Sequence, residues 1–257
     1  MKHKLTDLVP AATPALTKSK PGFALSRIDP GRHLNDRFIL SYYMTAQTDE
    51  TFERVLAAGE QLFAQQGYEG TTLRQITQLA GANLAAVNYH YGDKESLFLE
   101  ILRRRVRVVN ETRLARLTAA EQEAGAGPVP LPPLVEIMAG PWFELYADPA
   151  GGRLAARLVG RCLVEPLPFM TQFLAEEMQP ALARFAQAIR RHSPTLPPED
   201  FLWRFSFVTG ALQHTLATLH QMKALTRGIC RDDDQAGART RFVQFAVTVF
   251  ESGSQRE

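Results

Sequence analysis

From Phe52 to Val109 the apolar residues keep a helical period, and glycines interrupt it so often that only short helices fit before the last of them. Phe52, Val55, Leu56, Gly59, Leu62 and Phe63 fall on one face of a helix that ends at Gly67, a residue suited to the left-handed cap. Thr71 and Thr72 then offer N-cap hydroxyls. Gln75 follows Thr72 at the capping-box spacing, and Leu73, Ile76 and Leu79 form the apolar stripe of a second helix. Gly81 provides a turn, Asn83 can cap a third short helix through Tyr89, and Gly92 closes it. Asp93 caps a fourth helix that continues to about Ala124, on the order of 45 Å at the usual rise per residue. A helix of that length can reach from one domain into another.

Residues 125–133, Gly-Ala-Gly-Pro-Val-Pro-Leu-Pro-Pro, predict a loop. Helical spacing resumes through Phe169, Met170, Phe173, Leu174, Leu182, Phe185 and Ile189, with Pro180 placed to kink or divide the element. Pro197 and Pro198 open the next helix. Its apolar residues, from Phe201 to Leu219, cover most of the circumference, so it is buried in a core or against another subunit. A final helix carries Phe242, Val243, Phe245, Ala246, Val249 and Phe250, and no stretch alternates like a strand. The expected fold is all-α. Its expected parts are a disordered leader over 1–48, a helix-turn-helix domain over 49–93, a connecting helix over 94–124 and a helical effector and dimerisation domain over 125–257.

The leader carries Pro10, Pro14, Pro21 and Pro30 without periodicity, and Met44 offers an alternative start. It holds the basic excess: the first 44 residues sum to +4, which leaves −2 for the rest of a chain whose net charge is +2. A basic arm on DNA is the alternative reading of this segment. A slightly acidic body excludes coating of nucleic acid by bulk charge, so any such binding needs a localised patch. Cys162 and Cys230 are too few and too far apart for a disulfide framework or a cysteine-rich zinc site, and are expected to be buried thiols in a reducing cytoplasm. No apolar run approaches membrane-spanning length, and Asp7, Pro10 and Pro14 break the stretch that would serve as an export signal.

Two short helices joined at a glycine, with a supporting helix before and a long one after, describe a helix-turn-helix. A helix entering the major groove needs short or polar residues so that its backbone approaches the base edges. Asn83, Leu84, Ala85, Ala86 and Asn88 meet that condition, with Asn88 placed to pair with a base. Thr71, Thr72, Arg74 and Lys94 lie at helix starts, where such units meet phosphates. Tyr89 and Tyr91 are candidates to touch the DNA backbone, packing under the first helix being the alternative and the preferred reading for Tyr91, and His90 either pairs with a phosphate or is a solvated or helix-terminal histidine.

The same residues resemble the DNA-binding domain of the TetR family of transcriptional repressors. The likeness runs from Phe52 to Leu99 through Leu62, Phe63, Gly67, Tyr68, Thr71, Thr72, Ile76, Ala80, Gly81, Tyr89, His90, Tyr91 and Lys94. Asn88 departs from the tyrosine most members carry, and Leu84 from a polar or basic residue. That wording, together with Pro197 to Leu212, is similar to a subgroup containing regulators of fatty-acid metabolism and drug export. The resemblance implies a homodimer that binds a palindromic operator and releases it when a small molecule occupies the second domain.

By the same resemblance, residues 168–192 and 198–226 pair with their symmetry mates in a four-helix interface, where Gly210, Ala211 and Ala217 allow close contact. Candidate walls of the effector pocket are Trp142, Phe143, Tyr146, Phe169, Phe173 and Phe207, although each taken singly reads first as a core residue. Their uncharged character suits a hydrophobic effector, an acyl chain or a flat compound. No cofactor is expected. Nor is an enzyme: His192, His214 and His220 lack metal-ligand spacing, Asp232 to Asp234 read as a solvated turn, and neither a phosphate loop nor a nucleophile elbow occurs.

Overall fold

The computed structural model describes residues 35–162, 165, 167–231 and 233–252, with side chains described from Glu50 onward. Two compact units divide the chain at Ala46, and all that follows concerns the second, Gln47–Glu257, apart from the start of its first helix. The described residues are helical, without a strand: α1 (Asn35–Gln66), α2 (Leu73–Ala80), α3 (Leu84–Tyr91), α4 (Lys94–Ala124), α5 (Leu131–Ala147), α6 (Gly152–Cys162), α7 (Met170–Phe173), α8 (Gln179–Arg190), α9 (Pro198–Thr218), α10 (Met222–Leu225) and α11 (Gln235–Glu251). None of these helices is long and apolar enough to cross a membrane.

The expected leader lies outside the described residues up to 34. Helix α1 starts at Asn35, well before the expected Asp49, and neither proline nor glycine interrupts the chain between Gly31 and Gly59. At its other end α1 stops as anticipated, because Gly67 turns to φ 79°.

Helices α1 to α3 and the start of α4 enclose one small core. Val55, Phe63, Ile76, Val87, Leu97, Phe98 and Ile101 are all at most 3% exposed, and the Phe63 and Phe98 rings meet edge to face at 4.8 Å. Local chemistry fixes the turns. Thr72 Oγ1 accepts from Gln75 N while Gln75 Oε1 accepts from Thr72 N, completing the capping box. Gly81 takes φ 61°, the left-handed conformation that a side chain would strain, and so redirects the chain into α3.

The larger layer is built by α5, α6, α8, α9 and α11 around the second half of α4. Helices α5 and α6 were not anticipated by periodicity. Helix α5 begins inside the expected loop, using Pro132 and Pro133 in its first turn, where the missing N–H is not needed; Pro141 sits within it. Gly160 lets α6 approach α9, since a Cβ there would stand 2.6 Å from Ala217 Cβ. Pro180 divides its segment as expected: the turn Leu174–Met178 is a π-helix, and α8 starts with that proline in its first turn. Of the two thiols, Cys162 is buried and pushed up to about 12 by desolvation, but Cys230 is exposed, contrary to expectation, on the short stretch after α10. The acidic run is not merely a solvated turn either: Asp234 caps α11 by accepting from Gly237 N, and Asp233 pairs with Arg231.

Long-range ion pairs tie α4 to its surroundings. Arg105 grips Glu60 of α1 through two bonds of 2.8 and 2.6 Å, and Arg116 grips Glu144 of α5 through two of 2.8 Å. Arg103 and Arg107 both bind Glu177 of the π-turn. The bonds from Arg107 and then from Arg103 hold the Glu177 carboxyl below its ordinary range against the opposing effect of burial. The connecting helix is therefore fastened to both the small core and the large one.

Candidate nucleic-acid interface and interior cavity

Only Val87 of α3 is buried, so the helix presents every other residue outward or at the rim of the core. Asn83 caps it, its Oδ1 accepting from Ala85 N at 2.9 Å. Leu84, Ala85, Ala86 and Asn88 are exposed beside one another, and Tyr89 is 86% exposed. A large aromatic left in water at the end of such a surface is what a binding face offers and a core does not. Thr72 and Arg74 are exposed at the start of α2. Asp93 caps α4 by accepting from Ser96 N at 2.7 Å, and that bond is the first cause holding its carboxyl below the ordinary range.

Three sequence candidates take different positions. Thr71 is fully buried and its hydroxyl donates to Gly67 O at 2.8 Å, so it secures the α1–α2 turn and cannot reach a phosphate. Lys94 is half-buried, its ammonium donating to Tyr68 O at 3.0 Å and lying 4.0 Å over the Tyr68 ring. An ammonium has three donors, so that anchoring leaves others for a phosphate. His90 stays exposed with its ring 3.9 Å from that of Phe52, and the half-buried Tyr91 packs edge-on to the same phenylalanine.

The aromatic candidates for an effector pocket are scattered. Phe169 packs on Tyr68 and Phe98, Phe143 on Phe242, and Tyr146 lies under Arg153. Phe173 borders a separate void of about 10 Å³, whereas Phe207 is 61% exposed beside Trp203. Trp142 alone of the six lines the interior cavity. Aromatic character marked core positions rather than walls, because large rings fill the junctions between helices wherever these occur.

That cavity, of about 30 Å³, lies among α4, α5, α6, α8 and α9, with Met138, Val159, Met178, Leu212 and Leu216 on its sides. It also holds Arg113, which the sequence reading missed. Arg113 is 1% exposed, and desolvation pulls its guanidinium down to about 10. Its Nη1 donates to Asn110 Oδ1 at 3.1 Å, and Asn110 Nδ2 in turn donates to Glu177 O at 2.7 Å. The guanidinium lies 4.9 Å from the Phe185 ring and 5.9 Å from that of Trp142. A signal was present: Val106, Val109, Arg113 and Leu117 fall on one buried stripe of α4, and a cation occupies an apolar position in it.

On the outer side Leu202, Trp203 and Phe207 of α9 and Phe245 of α11 are exposed by about half or more. An open groove of about 840 Å³ runs on between α9 and α11, past Ala211, Phe242 and Phe245. Helix α8, in contrast, turns Ala181, Phe185 and Ile189 inward. One stripe of the segment 168–192 is thus committed to the internal core, while Arg184, Gln187 and Arg191 on its other side are exposed, and Ala217 stands against Gly160 of α6. Gly210 faces open space.

A capped, outward-facing short helix on a three-helix core, joined by one long helix to a larger helical layer, defines a two-domain helix-turn-helix protein. The sequence profile described as "Bacterial regulatory proteins, tetR family" matches residues 55–101, and "Tetracyclin repressor-like, C-terminal domain" matches 136–248; between them they span over half of the chain. The chain belongs to the TetR family. It is similar to the HTH-type transcriptional repressor AcnR of Corynebacterium glutamicum, at 36% identity over 69 residues, covering 25% of this chain and 37% of that protein. The HTH-type transcriptional repressor NicS of Pseudomonas putida matches at 36% over 56 residues, 22% of this chain and 26% of the other. The chain therefore spans well under half the length of the curated relatives it matches. Over the whole architecture it is similar in fold to the fatty acid degradation regulator FadR from Bacillus halodurans, with TM-score 0.56 and 13% identity over 80% of this chain and 97% of the other.

Proposed function

We propose that this protein is a cytoplasmic transcriptional repressor, a homodimer that binds a palindromic operator in double-stranded DNA and is released by a small hydrophobic effector. The observation that carries the reading is the exposed row Leu84, Ala85, Ala86 and Asn88 on a capped helix whose single buried residue anchors it to the head. Residues 83–89 enter the major groove, where Asn88 pairs with a base edge and the two alanines admit the backbone. Thr72, Arg74 and Lys94 hold phosphates and set register without reading sequence.

The partner surface is the apolar face of α9 and α11, where Leu202, Trp203, Phe207 and Phe245 meet their symmetry mates. Effector occupancy of the cavity among α4, α5, α6, α8 and α9 acts on α4, which starts beside the reading head at Lys94. An effector that prefers the wrong spacing of the two heads lowers DNA affinity by its differential affinity for the two states.

The test is capture and footprinting of fragmented genomic DNA with the purified full-length protein. The expected result is sites with two-fold symmetry, their half-sites separated by about one helical turn of DNA or slightly more. Recovery of no preferred fragment, or only of fragments without two-fold symmetry, overturns it.

A further inference from the structure

Arg113 sits where an apolar residue belongs. Among the described residues no carboxylate forms an ion pair with it, its Nε has no hydrogen-bond partner, and its only side-chain bond goes to neutral Asn110. A buried charge without a counter-charge is costly, and the faces of Phe185 and Trp142 offset only part of that cost. Elsewhere in α4 arginines are satisfied: Arg103, Arg104, Arg105, Arg107 and Arg116 all reach carboxylates. The one that points into the cavity does not.

We infer that the effector is a carboxylate with an apolar body, its anionic group held by the guanidinium of Arg113 and its body lying along Met138, Val159, Met178 and Leu212. This rests on the reading of the cavity as the effector site. It adds one anionic group to the hydrophobic effector expected from the sequence. A carboxylate fits because the guanidinium presents parallel N–H donors to two oxygens, and because a water-excluding site strengthens that pairing. The rest of the lining supplies no second cation: among the residues around the cavity, Arg113 is the only charged one, with Thr209 and Gln213 the other polar groups. One charge on an otherwise apolar molecule is what such a lining selects.

The present cavity has room for little more than water. A ligand has to displace wall residues, and Met178 closes the π-turn that borders it. Because Pro180 removes an N–H donor at the start of α8, this turn is a break in the helical ladder rather than its middle. Arg113 already communicates with it through Asn110 and the Glu177 carbonyl. Pairing of Arg113 with a carboxylate competes for that same guanidinium, and so loads α4 and the π-turn together.

The experiment is calorimetric titration of the full-length, DNA-free protein with octanoate, phenylacetate and their primary amides, with inorganic phosphate as a bare anion. At least one acid is expected to bind roughly 10- to 100-fold more tightly than its amide, the range a charge-assisted hydrogen bond supplies. Octanoate winning points to an acyl chain, phenylacetate to a ring, and phosphate is expected not to compete. In Arg113→Met, unbranched and without charge, the acid-to-amide preference should fall to within about twofold. Arg113→Lys, which keeps the charge and loses the fork, should fall between. Amides binding as well as acids, a preference retained in Arg113→Met, competition by phosphate alone, or no acid binding at all overturns the inference. Should Arg113→Met not fold, the acid-to-amide ratio in the native protein and in Arg113→Lys decides it. Genomic capture distinguishes this from the regulator reading: acid selectivity without DNA capture sinks only the latter, and operator capture by a protein blind to acids sinks only the former.

Discussion

The small head and the larger helical layer are both well packed, yet they carry their unusual residues in opposite places. In the head the residues proposed to meet DNA are outside and the core is purely mechanical: Leu84, Ala85, Ala86, Asn88 and Tyr89 face solvent while Phe63, Ile76, Val87 and Phe98 hold the scaffold. In the larger layer the chemically unusual residue, Arg113, is inside, and the exposed face of α9 and α11 is apolar. A surface reader can be assembled from local rules of capping and turning. A pocket between helices depends on which distant residues converge, and local rules do not say.

Substitutions can break or sharpen this contrast. Phe63→Ala should destabilise the protein most, by about 3–5 kcal/mol in denaturant unfolding, because it empties the centre of the head where Phe98 and Tyr68 meet it. A cost near that of a surface change would show that the head has no core of its own. Next, Asn88→Ala should cost on the order of 1–3 kcal/mol in operator affinity, confined to one base pair per half-site when sequence variants of the operator are compared. A uniform loss across all sequences would make Asn88 a positioning residue.

Asp93→Ala should remove about 1 kcal/mol of stability at neutral pH by uncapping α4. The native carboxyl titrates below its unfolded value, so its stabilisation is complete above about pH 4 and disappears as pH falls through the folded value. The gap between the native protein and the variant should therefore close in acid; a gap independent of pH would remove the charge from the account of that cap. Smallest of all, Lys94→Ala should reduce the slope of log affinity against log salt by about one while weakening all DNA sequences alike. An unchanged slope would mean that its bond to Tyr68 is its whole role.

The same contrast explains what was legible in the sequence. The ends of α2, α3 and α4 were readable because Thr72, Gly81, Asn83 and Asp93 act within a few residues of themselves. Helices α5 and α6 were not: Pro132 and Pro133 read as part of a loop although they sit harmlessly at a helix start, and residues 134–162 gave no periodic signal that was picked up. Thr71 looked identical in type to Thr72, and only the fold shows that it points into the turn. Aromatic character did not single out the lining of the cavity, because rings serve any junction. Arg113 was visible only as a cation on an apolar stripe, a signal that gains meaning once no acid is found opposite it. The exposed apolar face proposed for pairing was unreadable for a related reason: α8 and α11 both have apolar stripes, and only the contacts tell which side chains the protomer itself covers.

The central claim is that the row from Leu84 to Asn88 meets the duplex through close approach of the α3 backbone. Ala85→Glu tests it most directly, since an exposed glutamate in the first turn of a capped helix should leave stability within about 0.5 kcal/mol while placing a carboxylate against the groove. The account predicts a variant that melts like the native protein and captures none of the genomic fragments the native protein retains. Retention of those fragments at native affinity would contradict it.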